Sequence, residues 1–168
     1  MEEEREVSVF KVEFERDSQT GRVVRERWFN QYGHLDRPDD QPSYTDYCPE
    51  LGTPVARRWH DGSGAGEHRL GDKPARIVTR ALTGVDICEF YMILGKFHRE
   101  GDNPAAILRT DEGMLKEESY WKFGKLHRDP NLGPALISYN TKGKIDKRAF
   151  WVNGKEIISP TVQQAPSP

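Results

Sequence analysis

The chain has 168 residues, 35% of them hydrophobic and 31% charged, with a formal net charge of -2 and a pI near 6.2. That length is one ordinary domain or one short repeat array, and the apolar share favours a thin sheet packing on itself over a large α/β enzyme. The near-neutral balance offers no global basic field for nucleic acid, and no apolar run reaches the ~20 residues of a membrane span.

The chain opens on MEEEREV, an acidic run that reads as a solvated end. VSVFKVEF (Val7 to Phe14) then alternates apolar and polar residues, as a half-buried strand does, so residues 1–20 are expected to form a capping strand. From residue 21 to 158 the chain repeats itself. EFYMILGKFHREGDNPAAI (Glu89 to Ile107) is followed by SYWKFGKLHRDPNLGPALI (Ser119 to Ile137). Trp28, Trp59, Tyr91, Trp121 and Trp151 stand at steps of 31, 32, 30 and 30, and Pro42, Pro74, Pro104 and Pro134 at steps of 32, 30 and 30. Gly21, Gly52, Gly84, Gly113 and Gly143 keep the same period. Three residue types on one period define tandem units.

Each unit reads as Gly, a strand ending in Trp or Tyr, a Gly turn, His-Arg, an Asp or Asn, and Pro-Ala opening a second strand. VDICEFYMI (Val85 to Ile93) and KIDKRAFWV (Lys144 to Val152) carry β-branched and aromatic residues, and Asn153-Gly154 is a hairpin turn signal. Pro-Ala sits at a strand start, where a missing N–H is tolerated. The expected fold is all-β: a single elongated antiparallel meander sheet of about ten strands, built from about five tandem β-hairpin units. WVNGKEII is an incomplete fifth unit that caps the far end. SPTVQQAPSP, residues 159–168, has three prolines and no charge and is expected to be a disordered tail.

Two segments break the pattern. Arg37 to Gly52, RPDDQPSYTDYCPELG, is rich in Pro and Asp. In WHDGSGAGEHR, Trp59 to Arg69 is 10 steps where Trp121 to Arg128 is 7, which predicts a flexible hairpin extension of three residues. Its GSGAG lacks the strand, helix and Lys-Ser/Thr of a phosphate cradle, and Ser63 does not stand in Gly-x-Ser-x-Gly. His60, Asp61 and Ser63 are too close in sequence for a catalytic triad. Tyr44, Tyr47, Trp59, His60 and Asp61 are the predicted partner contacts, since aromatic side chains at departures from the repeat are of the type that anchors interfaces. Cys48 and Cys88 read as free thiols of a reducing cytoplasm.

The repeated His-Arg-Asp cluster has several readings. Equivalent histidines two strands apart lie about 9.5 Å from one another, too far to share a metal ion. Catalytic constellations are usually unique, so repetition argues for construction. Arg37 with Asp40, Arg69 with Asp72, Arg99 with Asp102 and Arg128 with Asn131 are each read as a turn brace. The Asp or Asn fixes the bend, and the guanidinium donates to that side chain or to turn carbonyls. An arginine ladder that binds a ligand is the other reading. The aromatic series is read as the sheet's own core, with an exposed stacking stripe as its alternative. No metal and no cofactor are expected.

These units resemble the variant MORN-type repeats of bacterial, phage and giant-virus proteins, written W-x-x-G-x-x-H-R-x-x-G-P-A. The resemblance runs from about Gly21 to Ile157. Arg37, Arg69, Arg99 and Arg128 match the motif arginine, and His68, His98 and His127 its histidine; the first unit departs at Asp36 and Ser43. It implies an elongated β-sheet used for binding or scaffolding, with no shared catalytic residue. The expected function is a non-enzymatic, cytoplasmic module that binds another protein, such as a phage- or mobile-element-encoded inhibitor of a host enzyme or defence component. A scaffold that self-associates through the sheet as a homo-oligomer, and a hydrolase using the hairpin at 60–66, are the competing readings. Nucleic acid and membrane are not expected partners.

Overall fold

A computed structural model describes residues 9–158. In chain order the strands are β1 (Lys11–Arg16), β2 (Val23–Phe29), β3 (Tyr44–Tyr47), β4 (Pro54–Arg58), β5 (Arg76–Thr79), β6 (Asp86–Phe90), β7 (Met92–Ile93) and β8 (Lys96–Phe97). There follow β9 (Ala106–Arg109), β10 (Leu115–Ser119), β11 (Trp121–Lys122), β12 (Lys125–Leu126), β13 (Leu136–Tyr139), β14 (Ile145–Val152) and β15 (Lys155–Ile157). Eleven of them form one antiparallel meander, β1-β2-β3-β4-β5-β6-β9-β10-β13-β14-β15, roughly 50 Å across at 4.7–4.9 Å per strand. β7–β8 and β11–β12 are short ribbons outside it. The fold is therefore all-β and a meander, as the alternation and turn signals predict. The acidic run, Val7, Ser8 and the 159–168 tail lie outside the described residues.

The predicted strand Val85 to Ile93 is split at Tyr91 into β6 and β7. Tyr91 donates its N–H to Ala105 O in the sheet, whereas the next residue, Met92, already pairs with Phe97 in the ribbon. The aromatic is thus the pivot at which the chain leaves the sheet. By the same bonds the pivot of the next ribbon is Tyr120, whose N–H donates to Ala135 O, and not Trp121, which pairs with Leu126 inside the ribbon. The corresponding residue in β14 is Phe150, opposite Ala135, and not Trp151. Two adjacent aromatics made the spacing ambiguous by one residue. With Tyr120 as pivot, the normal step to the arginine is 8, so the Trp59–Arg69 hairpin carries two extra residues and not three.

Along the pivot row, large and small residues alternate across the strands: Trp59, Ala75, Tyr91, Ala105, Tyr120, Ala135, Phe150. The three alanines are fully buried, which explains the alanine after each proline, because a larger side chain would collide with the flanking rings. Ser43 takes the alanine position between Trp28 and Trp59 and is also fully buried.

At one end of the sheet the hairpins close through left-handed glycines. Gly84, for example, has φ +71°, and a β-bulge lies beside this turn in the β5–β6 pair it joins, adding twist. At the ribbon end the turns are Leu94-Gly95, Phe123-Gly124 and Asn153-Gly154, all with positive φ, as type I′ hairpins require. Leu94 and Phe123 cost about 1–2 kcal/mol each in that conformation. Contacts between ribbons offset it. Gly95, Gly124 and Gly154 donate N–H to Glu67 O, Phe97 O and Leu126 O at 2.9, 2.9 and 2.8 Å, so the ribbons stand side by side as a second, narrow layer.

Candidate functional site

The His-Arg-Asp cluster is a joint between neighbouring turns. Arg99 donates from Nε and Nη2 to both oxygens of Asp72, at 2.6 and 3.0 Å, and from Nη1 to its own Pro104 O at 3.2 Å. Arg69 grips Asp40 and Pro74 O in the same way, and Arg128 grips Asp102 and Pro134 O. Each guanidinium also lies over its own pivot ring: Arg69 over Trp59 at 3.9 Å, Arg99 over Tyr91 at 3.6 Å, Arg128 over Tyr120 at 3.9 Å. The turn carbonyl is the predicted acceptor. The carboxylate is not the one three residues downstream but the one belonging to the turn before.

Both ends of the series follow from this. Arg37 has no earlier turn of this kind among the described residues and takes Glu26 at 3.0 Å while lying over Trp28. Asn131 faces no later arginine, because Ile157-Ile158 occupy the place of the next His-Arg, and it bonds Asp129 locally. The change from Asp to Asn at the last turn was the sequence signal for a clamp between units. The histidines join the same seam: His68 Nδ1 accepts from Leu94 N–H at 3.2 Å and His127 Nδ1 from Asn153 N–H at 3.1 Å. His98 instead stacks on the Phe123 ring, 4.0 Å between centroids. Among the described residues no three His, Cys, Asp or Glu side chains are placed to hold a metal ion.

The clamp carboxylates carry an acid signature. The hydrogen bond from the arginine of the following turn holds Asp40, Asp72 and Asp102 below the usual carboxylate range, most strongly at Asp40, which Lys73 also reaches. A carboxylate depressed in the folded state contributes stability above its ordinary value of 3.8 and loses it as pH falls through the depressed one. These groups are about half exposed, so the contribution is at most ~1 kcal/mol per pair. Between about pH 5 and pH 2 the melting temperature is expected to fall more steeply for the wild type than for Asp72→Asn. Parallel curves would remove the clamp from the acid response.

The glycine-rich hairpin is packed, not free. A Cβ on Gly62 would lie 2.6 Å from Asp36 Oδ2, one on Gly64 would lie 3.1 Å from the His34 ring, and one on Gly66 would lie 2.9 Å from Gly95 Cα. Asn30 Nδ2 donates to Gly62 O at 3.1 Å, and the His34 ring meets the same oxygen at 3.0 Å. The hairpin is wedged between its two neighbours, and the glycines stand where those neighbours approach most closely. Glu67 takes the position of Phe97 and Leu126. It is buried and held by Arg76, and so joins a chain of alternating charges across five strands. That chain runs Glu15, Arg25, Asp46, Arg58, Glu67, Arg76, with Tyr44 between Arg25 and Arg58.

Of the predicted partner contacts, Trp59 is buried at 7% exposure, with its indole N–H on Asp40 O. Tyr44 is half-buried in the charge chain. Tyr47 is half-buried on Glu26, with its hydroxyl pKa pushed up to about 12, first by burial and then by that bond. His60 turns away from Ser63 to Ser43 Oγ, 2.8 Å distant, and burial lowers its pKa. A serine with no exposed surface gives that pair no route to a substrate. Ser63 itself donates to Asp61, the one contact residue of the five that is exposed.

What the ribbons leave uncovered is part of one sheet face. They lie over Arg76, Phe90 and Ser119, as the Glu67, Phe97 and Trp121 contacts show. Two residues along the same strands, on the same face, come Ala56, Val78, Cys88 and Leu108, all half-buried. Val55, Ala56, Val78, Ile87 and the 83% exposed Leu82 line a groove of about 770 Å³ whose rim carries Asp46, Arg80 and Asp111. Burial also raises the Cys88 thiol pKa. No protein-family model, curated protein or solved structure matches this chain.

Proposed function

We propose that this chain is a non-enzymatic protein-binding module, a MORN-like β-repeat array that docks one partner protein on the uncovered part of its sheet. The observation that carries the reading is the apolar groove beside Val78 and Leu82, with the charged side chains of Asp46, Arg80 and Asp111 along it. Protein interfaces combine such an apolar centre with a polar rim. The His-Arg-Asp turns are occupied in holding the array together, which leaves the groove as the open recognition surface. In the inhibitor reading, carriage on a phage or mobile element would direct the module at a host enzyme or defence component.

Leu82→Glu and Val78→Glu place a charge in the lining of this groove and are expected to weaken partner binding at least tenfold. Leu82 is exposed, so its variant should keep the wild-type melting temperature. The check is titration calorimetry with the stoichiometric partner isolated from the native host. Undiminished affinity of both variants would place the interface elsewhere.

A further inference from the structure

The two long edges of the sheet are unlike each other and complementary. Among the described residues β1 pairs only with β2; Lys11, Glu13 and Glu15 stand on one face of this edge strand and Phe14, 56% exposed, on the other. At the other end, β15 covers only Phe150 to Val152 of β14. Ile145 to Ala149 pair with β13 and have no strand on their outer side among the described residues. This second edge is basic, with Lys142, Lys144, Lys147 and Arg148 against a single Asp146, whereas Glu2, Glu3, Glu4 and Glu6 precede β1 in the chain.

Polarity and register match as well. Ten long strands alternate in direction from β1 to β14, so a translated copy would bring its β1 antiparallel to β14 and continue the meander. The cross-strand row that begins Glu15, Arg25, Asp46 ends at Ser138, Lys147; one further step in the same register sets Lys147 opposite Glu15 of the next copy. The neighbouring row sets Arg148 opposite Phe14. Opposite charges directly across an antiparallel pair attract, and strand addition supplies the backbone bonds.

We propose that this chain associates with further copies of itself head to tail, β14 of one copy against β1 of the next, in an open, heterologous arrangement. The contact uses the edges of the sheet and not its groove, so it goes beyond the partner-binding reading and either can fail without the other. A repeated heterologous contact that does not close by rotation grows along one axis. Three β-strand residues on each side and one ion pair make it weak and salt-sensitive.

Sedimentation of the full chain at rising concentration tests it. The mean mass should climb past that of a dimer at ~20 mM salt and fall back at ~500 mM. Glu15→Lys alone and Lys147→Glu alone put like charges across the contact, and each should weaken association about tenfold. Mixing the two variants restores an opposite pair at every junction and should recover wild-type association. A monomer at every concentration, a plateau at dimer mass, or a mixture no better than its components would overturn the proposal. So would association seen only in a chain ending at Ile158, which would make residues 159–168 the natural occupant of the β14 edge. Both variants change exposed side chains, and unchanged melting temperatures confirm that the fold is intact.

Discussion

Gly66→Ala is expected to lower folding stability by about 3 kcal/mol, through two separate costs. Gly66 has φ +105°, a conformation essentially closed to a residue with a Cβ, which accounts for about 1–2 kcal/mol. The new Cβ would also stand 2.9 Å from Gly95 Cα and 3.3 Å from Gly95 N. Both are backbone atoms of a tight turn, which no side-chain rotation can move aside. Gly95 meets the same seam from the other side: a Cβ added there would lie 2.9 Å from Ala65 O. The two hairpins would have to separate, and the bond from Gly95 N–H to Glu67 O would lengthen with them. Urea unfolding of the variant checks this: a loss under ~0.5 kcal/mol, the range of an unconstrained surface site, would mean the hairpin moves freely.

Arg99→Ala is expected to cost about 2–3 kcal/mol, because one side chain serves three partners. Its stacking on Tyr91 is worth ~0.5–2 kcal/mol and its bond to the Pro104 carbonyl about 1 kcal/mol. The two bonds to Asp72 add at most ~1 kcal/mol, since that carboxylate is largely exposed. Arg99→Lys should recover only part of the loss, because an ammonium cannot span both carboxylate oxygens while lying flat on a ring. The measurement is again urea unfolding, combined with partner binding. Lost binding at unchanged stability would return the arginines to the role of a ligand ladder.

How much of this was legible depends on which contact is meant. The strand class followed from alternation and β-branched content, and the turn positions from Asn153-Gly154 and the glycine series. The sequence reads the arginine as a brace, and the proline carbonyl it bonds lies within its own turn, five or six residues on. The carboxylate partner was misplaced by one whole unit, although Asn131 at the last turn held the clue. GSGAG was read as flexible because glycine favours open chain as readily as close approach, and composition alone does not separate the two. The predicted contact residues were chosen by type. Tertiary packing then buried Trp59 and tied Tyr44, Tyr47 and His60 to neighbours, while the apolar groove drew on Val55, Val78 and Ile87, which are ordinary strand residues in sequence.

By itself the sequence determined an all-β meander, the positions of its turns and the residues that recur at them. These are local matters: side-chain alternation, positive φ and a fixed period are properties of short stretches of chain. The tertiary structure alone decided that Arg99 reaches back to Asp72, that Tyr120 and not Trp121 is the pivot, and that three glycines mark a seam. Each of these depends on the stagger between neighbouring hairpins, which the twist and bulges of the whole sheet set, and no single unit contains it.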